Sequence, residues 1–63
     1  MFDYINETYG LNIKKGDRVR YTFGNGSREG TIVGTHAGKL KIKMDGDDYA
    51  DIYHPTWELE YFS

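Results

Sequence analysis

Residues 39 to 44 read KLKIKM, with Leu40, Ile42 and Met44 alternating against Lys39, Lys41 and Lys43. A period of two sends every apolar side chain to one face and every ammonium to the other, the pattern of a strand with one buried face. The chain has 63 residues, room for one domain, and a domain of this size buries only about 60% of the surface its unfolded form exposes. There is no cysteine, so disulfides, thiolate metal sites and cysteine nucleophiles are excluded and packing alone must hold the fold. The ten aromatic residues are the natural source of that packing.

Around this strand the rest of the chain falls into short pieces. Phe2, Ile5 and Tyr9 lie at spacings of three and four, which predicts a short N-terminal helix that stops at Gly10 and folds Leu11 back onto its last turn. Such a helix is marginal in water and needs a sheet to dock on. In KKGDRVRYTF, Val19, Tyr21 and Phe23 alternate against Arg18, Arg20 and Thr22, a second half-buried strand. GNGSREG reads as a turn, TIVGT as a short strand with a bulge near Gly34, HAG as another turn, and the Asp-Gly pair of DGDD as a hairpin reversal. YADIYH is a further strand, expected to turn Ala50 and Ile52 inward and Tyr49, Asp51 and Tyr53 outward, with its aromatic residues allowing the opposite register as the alternative. Pro55 suits the first position of a 3-10 or helical turn in HPTWE, and LEYF follows as a last strand. The sum is mainly β: a small five-stranded SH3-like barrel over residues 14–63, capped by a helical segment over residues 1–11.

Charge is unevenly spread. Residues 14 to 43 hold all eight basic residues against two acids, a net charge of +6, while residues 45 to 60 hold six acids and no lysine or arginine. A segregated pattern of this kind points to a binding surface, unless folding lays the acidic strand beside the basic ones. No run approaches the roughly 18 to 20 apolar residues that span a bilayer, and MFDYINETYG lacks a basic stretch followed by an apolar one. A soluble, cytoplasmic protein without a membrane partner is the expectation.

The run KKGDRVRYTF…REGTIVG…GKLKIKMDG is similar to the first three strands of KOW and Tudor-type modules, and HPTWELEYF resembles the closing turn and last strand of the same barrels. With YGLNIKKGDRVRYT included, nearly the whole chain resembles small uncharacterised proteins encoded by phages and prophages. The resemblance implies a fold and a host-cell cytoplasmic setting, and it carries no activity. Related modules bind RNA, ribosomal or transcription proteins, or modified side chains, and fold analogy does not choose among these.

Catalytic, cofactor and metal chemistry find no motif. Counting from Asp45, the sixth and twelfth positions of a calcium loop hold Ala50 and Thr56 where glycine and glutamate are needed. His36 and His54 stand eighteen residues apart with no thiolates. Ser27 has no elbow motif, GNGSREG lacks the GK[ST] ending of a phosphate loop, and so small a barrel offers little concave volume for a small-molecule substrate. The expectation is a non-enzymatic binding module with no cofactor.

Two surfaces are candidates. Arg18, Arg20, Lys39, Lys41 and Lys43, with Tyr49 and Tyr53 beside them, combine cations with stacking platforms and suit a nucleic acid or a nucleic-acid-bound complex. Alternating lysines equally serve as a solvated, aggregation-resistant face, with Asp51 opposite a lysine as a cross-strand ion pair. Asp47, Asp48 and Trp57, with the two tyrosines, suit instead a host protein. Trp57 itself is expected to plug the open end of the barrel over Leu59, Val19 and the N-terminal helix, with an exposed anchor as the alternative. A structural role in a phage particle is a third class, and a final strand ELEYF with a free edge can pair with a second copy.

Overall fold

In the computed structural model, which describes residues 1–62, one helix and five antiparallel strands are built. Helix α1, Phe2–Tyr9, buries Ile5 completely and ends at Gly10, whose φ of 68° and ψ of 35° place it in the left-handed region. The amides of Gly10 and Leu11 both turn back to the Asn6 carbonyl, so the last turn closes on itself. The Asn6 side chain then acts as a strand partner: its Nδ2 donates to the Ile13 carbonyl at 3.0 Å and its Oδ1 accepts from the Ile13 amide at 2.9 Å. This clasp seats Ile13, 5% exposed, in the core.

The strands are β1 Arg18–Phe23, β2 Gly26–His36, β3 Lys39–Met44, β4 Asp51–Tyr53 and β5 Leu59–Tyr61, in the spatial order β4-β3-β2-β1-β5. Val19, Ile32, Leu40, Ile42 and Met44 line the inner face and meet Ile5 and Ile13 there. The lysines of β3 alternate outward as their sequence requires. The β2–β3 reversal runs through Ala37 and Gly38, both at positive φ (50° and 80°), the backbone that lets a two-residue turn follow the twist of its strands. The bulge expected near Gly34 falls at Val33: pairing passes from Ile32↔Ile42 to Gly34↔Lys41.

Several expectations are corrected. The sheet is not closed into a barrel, because β4 and β5 are its two edges and share no ladder. Each is three residues long, and the buried Pro55 between them has no N–H to give. The gap is filled by side chains. Tyr53 on β4 and Tyr21 on β1 meet edge to face with centroids 5.1 Å apart, although three strand spacings in a flat sheet are about 14 Å. The sheet is therefore strongly curled, and the Tyr61 hydroxyl donates to the Pro55 carbonyl within the curl.

GNGSREG is not a turn: only Gly24 and Asn25 reverse the chain, and Gly26 through Gly30 belong to an eleven-residue β2. DGDD reverses at Asp45 and Gly46, where the Asp47 amide reaches the Met44 carbonyl, but β4 does not begin until Asp51. HPTWE forms the short turn expected of it, with Pro55 at its first position. It is a single turn over Pro55 and Thr56, closed by the Trp57 amide on the His54 carbonyl at 3.4 Å. On β4 the faces are reversed: Ile52 points outward, 44% exposed, and Tyr53 turns in, because Leu40↔Tyr53 pairing puts that ring on the core side. Asp51 lies opposite Ile42 rather than a lysine.

Candidate functional site

The outer face of the sheet carries the basic residues singled out by the sequence, and its register decides which of their charges are free. Directly opposite residues share a face, so Arg20 on β1 stands beside Glu29 on β2 and Glu60 on β5. Its guanidinium lies 3.5 Å from Glu29 and 3.6 Å from Glu60, and it stacks 5.1 Å above the Phe62 ring. Arg18 donates twice to Asp45, at 2.8 and 2.6 Å, and once to the Thr31 hydroxyl at 2.9 Å, with Glu29 at 3.6 Å. These hydrogen bonds hold the Asp45 carboxyl below the usual carboxylate range and raise Arg18.

The two arginines of the proposed basic face are thus matched by three carboxylates. Lys39, Lys41 and Lys43 are different: they are exposed and take part in no ion pair among the described residues. Ile52 lies across from Lys41 at the edge of the same face. Of the tyrosines placed beside the lysines, Tyr49 is 83% exposed, in the segment before β4. Tyr53 is withdrawn to the inner face, where burial pushes its phenol up.

The acidic and aromatic candidates come from two different connections of the chain. Asp47 is tied to Arg28 at 2.8 Å, which lowers its carboxyl, while Asp48 is exposed and in no ion pair among the described residues. Both precede β4, whereas Trp57 follows it.

Trp57 is 69% exposed, so it does not plug the fold. Val19 and Leu59, which it was expected to cover, pack instead with Ile5 and the inner-face residues. One face of the indole lies on the His54 ring, centroids 4.3 Å apart and planes 12° from parallel. His54 in turn meets the Tyr9 ring of α1 edge to face at 5.4 Å. The Thr56 amide donates to His54 Nδ1 at 3.1 Å, which fixes the imidazole as acceptor at that nitrogen and sets its plane. The outcome is a run of three rings, Trp57 stacked on His54 and His54 edge to face with Tyr9. The proximity of proline, tryptophan and histidine in YHPTWELEYF was the sequence signal for it, whereas Tyr9 and Phe62 gave no sign of their partners.

No enclosed pocket is present among the described residues. No helix is long and apolar enough to cross a membrane. Compared with known proteins, the chain matches no family model, no curated protein and no solved structure.

Proposed function

We propose that this chain is a non-enzymatic, phage-type protein-interaction module whose anchor is Trp57. The supporting observation is the indole itself, 69% exposed yet held in one plane by His54. Tryptophan is the side chain most enriched among residues that dominate interface energies, and a fully buried aromatic contributes 150–250 Å² of contact area. A side chain already ordered on its own protein loses less freedom when a partner covers it.

The test is capture from a bacterial lysate after nuclease treatment, followed by Trp57→Ala and Trp57→Phe. A partner retained by the native chain and by Trp57→Phe, and lost with Trp57→Ala while the far-ultraviolet spectrum is unchanged, supports the proposal. Equal capture by Trp57→Ala ends it.

A second reading, a nucleic-acid contact, is favoured by the three lysines of β3, exposed and in no ion pair among the described residues. Three phosphate contacts give a salt slope of only about −2 for a single strand and about −3 for a duplex, so such binding is weak and confined to low salt. Labelled oligonucleotides titrated at low salt check it, with loss of binding in Lys41→Glu as the expected result. Binding that is strong at physiological salt, or indifferent to Lys41→Glu, excludes the lysine face.

A further inference from the structure

We infer that the partner segment seated on Trp57 carries a guanidinium; this deepens the anchor reading and rests on it. The chain contains its own example of the contact. Arg20 lies with its guanidinium carbon 5.1 Å over the Phe62 ring while its nitrogens face the Glu60 carboxylate at 3.6 Å, so one planar cation is held by an aromatic face and an acid together. Trp57 and Glu58, consecutive residues at the end of the turn, supply the same two kinds of group, and among the described residues no cation stacks on the Trp57 ring or pairs with the Glu58 carboxylate. The Trp57 face away from His54 is open, and Glu58 is exposed and joins no ion pair among the described residues.

Charge complementarity gives the sign of the partner. Residues 45 to 60 hold six acids and no lysine or arginine. Three of those acids are already matched, and in every case by an arginine: Asp45 by Arg18, Asp47 by Arg28 and Glu60 by Arg20. Asp48, Asp51 and Glu58 are left without an ion-pair partner among the described residues, and Glu58, next to Trp57 in the chain, is the uncompensated charge that a segment approaching the indole meets. An indole is the best of the aromatic rings for a cation, and a flat guanidinium can stack on it while its edge reaches a carboxylate. A lysine ammonium, a hydrated point charge, can do only one of these well.

Trp57 is the one tryptophan in the chain, so its emission reports this site alone. The experiment titrates the whole protein at low salt with short capped peptides, identical except for arginine, lysine or glutamate, and follows that emission. The expected result is a saturable change with the arginine peptide, about threefold tighter than with lysine, absent with glutamate and weakened about threefold in Glu58→Gln. No saturable change with the arginine peptide, an equal response to glutamate, or indifference to Glu58→Gln overturns the inference. Failure there leaves the anchor reading standing if lysate capture is still lost in Trp57→Ala. Capture that survives Trp57→Ala removes both.

Discussion

Gly30 occupies a position that no larger residue fits. It pairs with Met44 on the core side of β2, and a Cβ there would stand 2.8 Å from the Lys43 carbonyl oxygen, 2.9 Å from Met44 Sδ and 3.0 Å from Ile42 Cγ2. The carbonyl belongs to the strand backbone and cannot retreat without disturbing β3. Gly30→Ala is therefore expected to cost about 1–3 kcal/mol, read as a lower urea midpoint with an unchanged slope. Gly26→Ala is the control: its Cβ would meet only the Phe23 ring, at 3.2 Å, and an exposed side chain can move aside. A change within about 0.5 kcal/mol is expected there, and equal losses at the two glycines would refute the steric account. Asn6 is the other residue whose role is specific. Asn6→Ala leaves both the amide and the carbonyl of Ile13 without a protein partner, an expected loss of about 2 kcal/mol by the same measurement. Neither residue advertised itself. Gly30 sat among turn-forming residues, and Asn6 looked like one more polar position on a helix, because both roles depend on what lies across from them in space.

At the scale of elements, the sequence was legible wherever a single period governed. KLKIKM emerged with its two faces as written, α1 ended at Gly10, and the bulge came within one residue of its expected place. It misled where one residue of register decides a face. YADIYH alternates equally well in either sense, and the ring of Tyr53 took the core side, where it meets Tyr21 across the curl. The candidate surfaces shared this fate: Trp57 was visible as an oddity, while the pairing of Arg18 and Arg20 with Glu29 depends on a long β2 that glycines and an asparagine had disguised. The turn from β4 to β5 is the element with most at stake, since Pro55 is buried and Tyr61 donates its hydroxyl to the Pro55 carbonyl. Burial pushes that phenol from its ordinary value of 10.0 up to about 12. An acid whose folded pKa is raised is stabilising while it stays protonated, so its contribution is complete below pH 10 and lost as pH climbs toward 12. The Tyr61→Phe protein, which has no phenol to ionise there, should start less stable at neutral pH and fall less steeply in urea midpoint through that window. A native and a Tyr61→Phe protein with parallel alkaline curves would show that the hydroxyl does not hold the turn.

The whole molecule resolves its uneven charge by folding. The acidic segment from Asp45 to Glu60 wraps the basic one, and Arg18–Asp45 and Arg28–Asp47 tie the β3–β4 connection back to β1 and β2. Arg28 also donates to the Asp45 carbonyl at 3.1 Å, so the two clasps share one loop. Hydrogen bonds from the arginines lower Asp45 and Asp47 from the ordinary 3.8, and a bond from Lys14 lowers Asp17. A carboxylate whose folded pKa is depressed stabilises the fold above its unfolded value, and that stabilisation disappears as pH falls through the lower, folded value. These groups are at the surface, so salt screens them and each contributes little alone. Their loss is collective, however, because protonating the acids leaves eight basic residues facing one another on a domain whose longest dimension is 30 Å. Urea midpoints are therefore expected to stay level near neutrality and to decline once pH drops below about 4. The decline should be shallower in the double variant Asp45→Asn, Asp47→Asn, which has already lost the two clasps and begins from a lower plateau. If the variant declines as steeply as the native chain, the clasps do not set the acid limit, and general repulsion among the basic residues alone accounts for it.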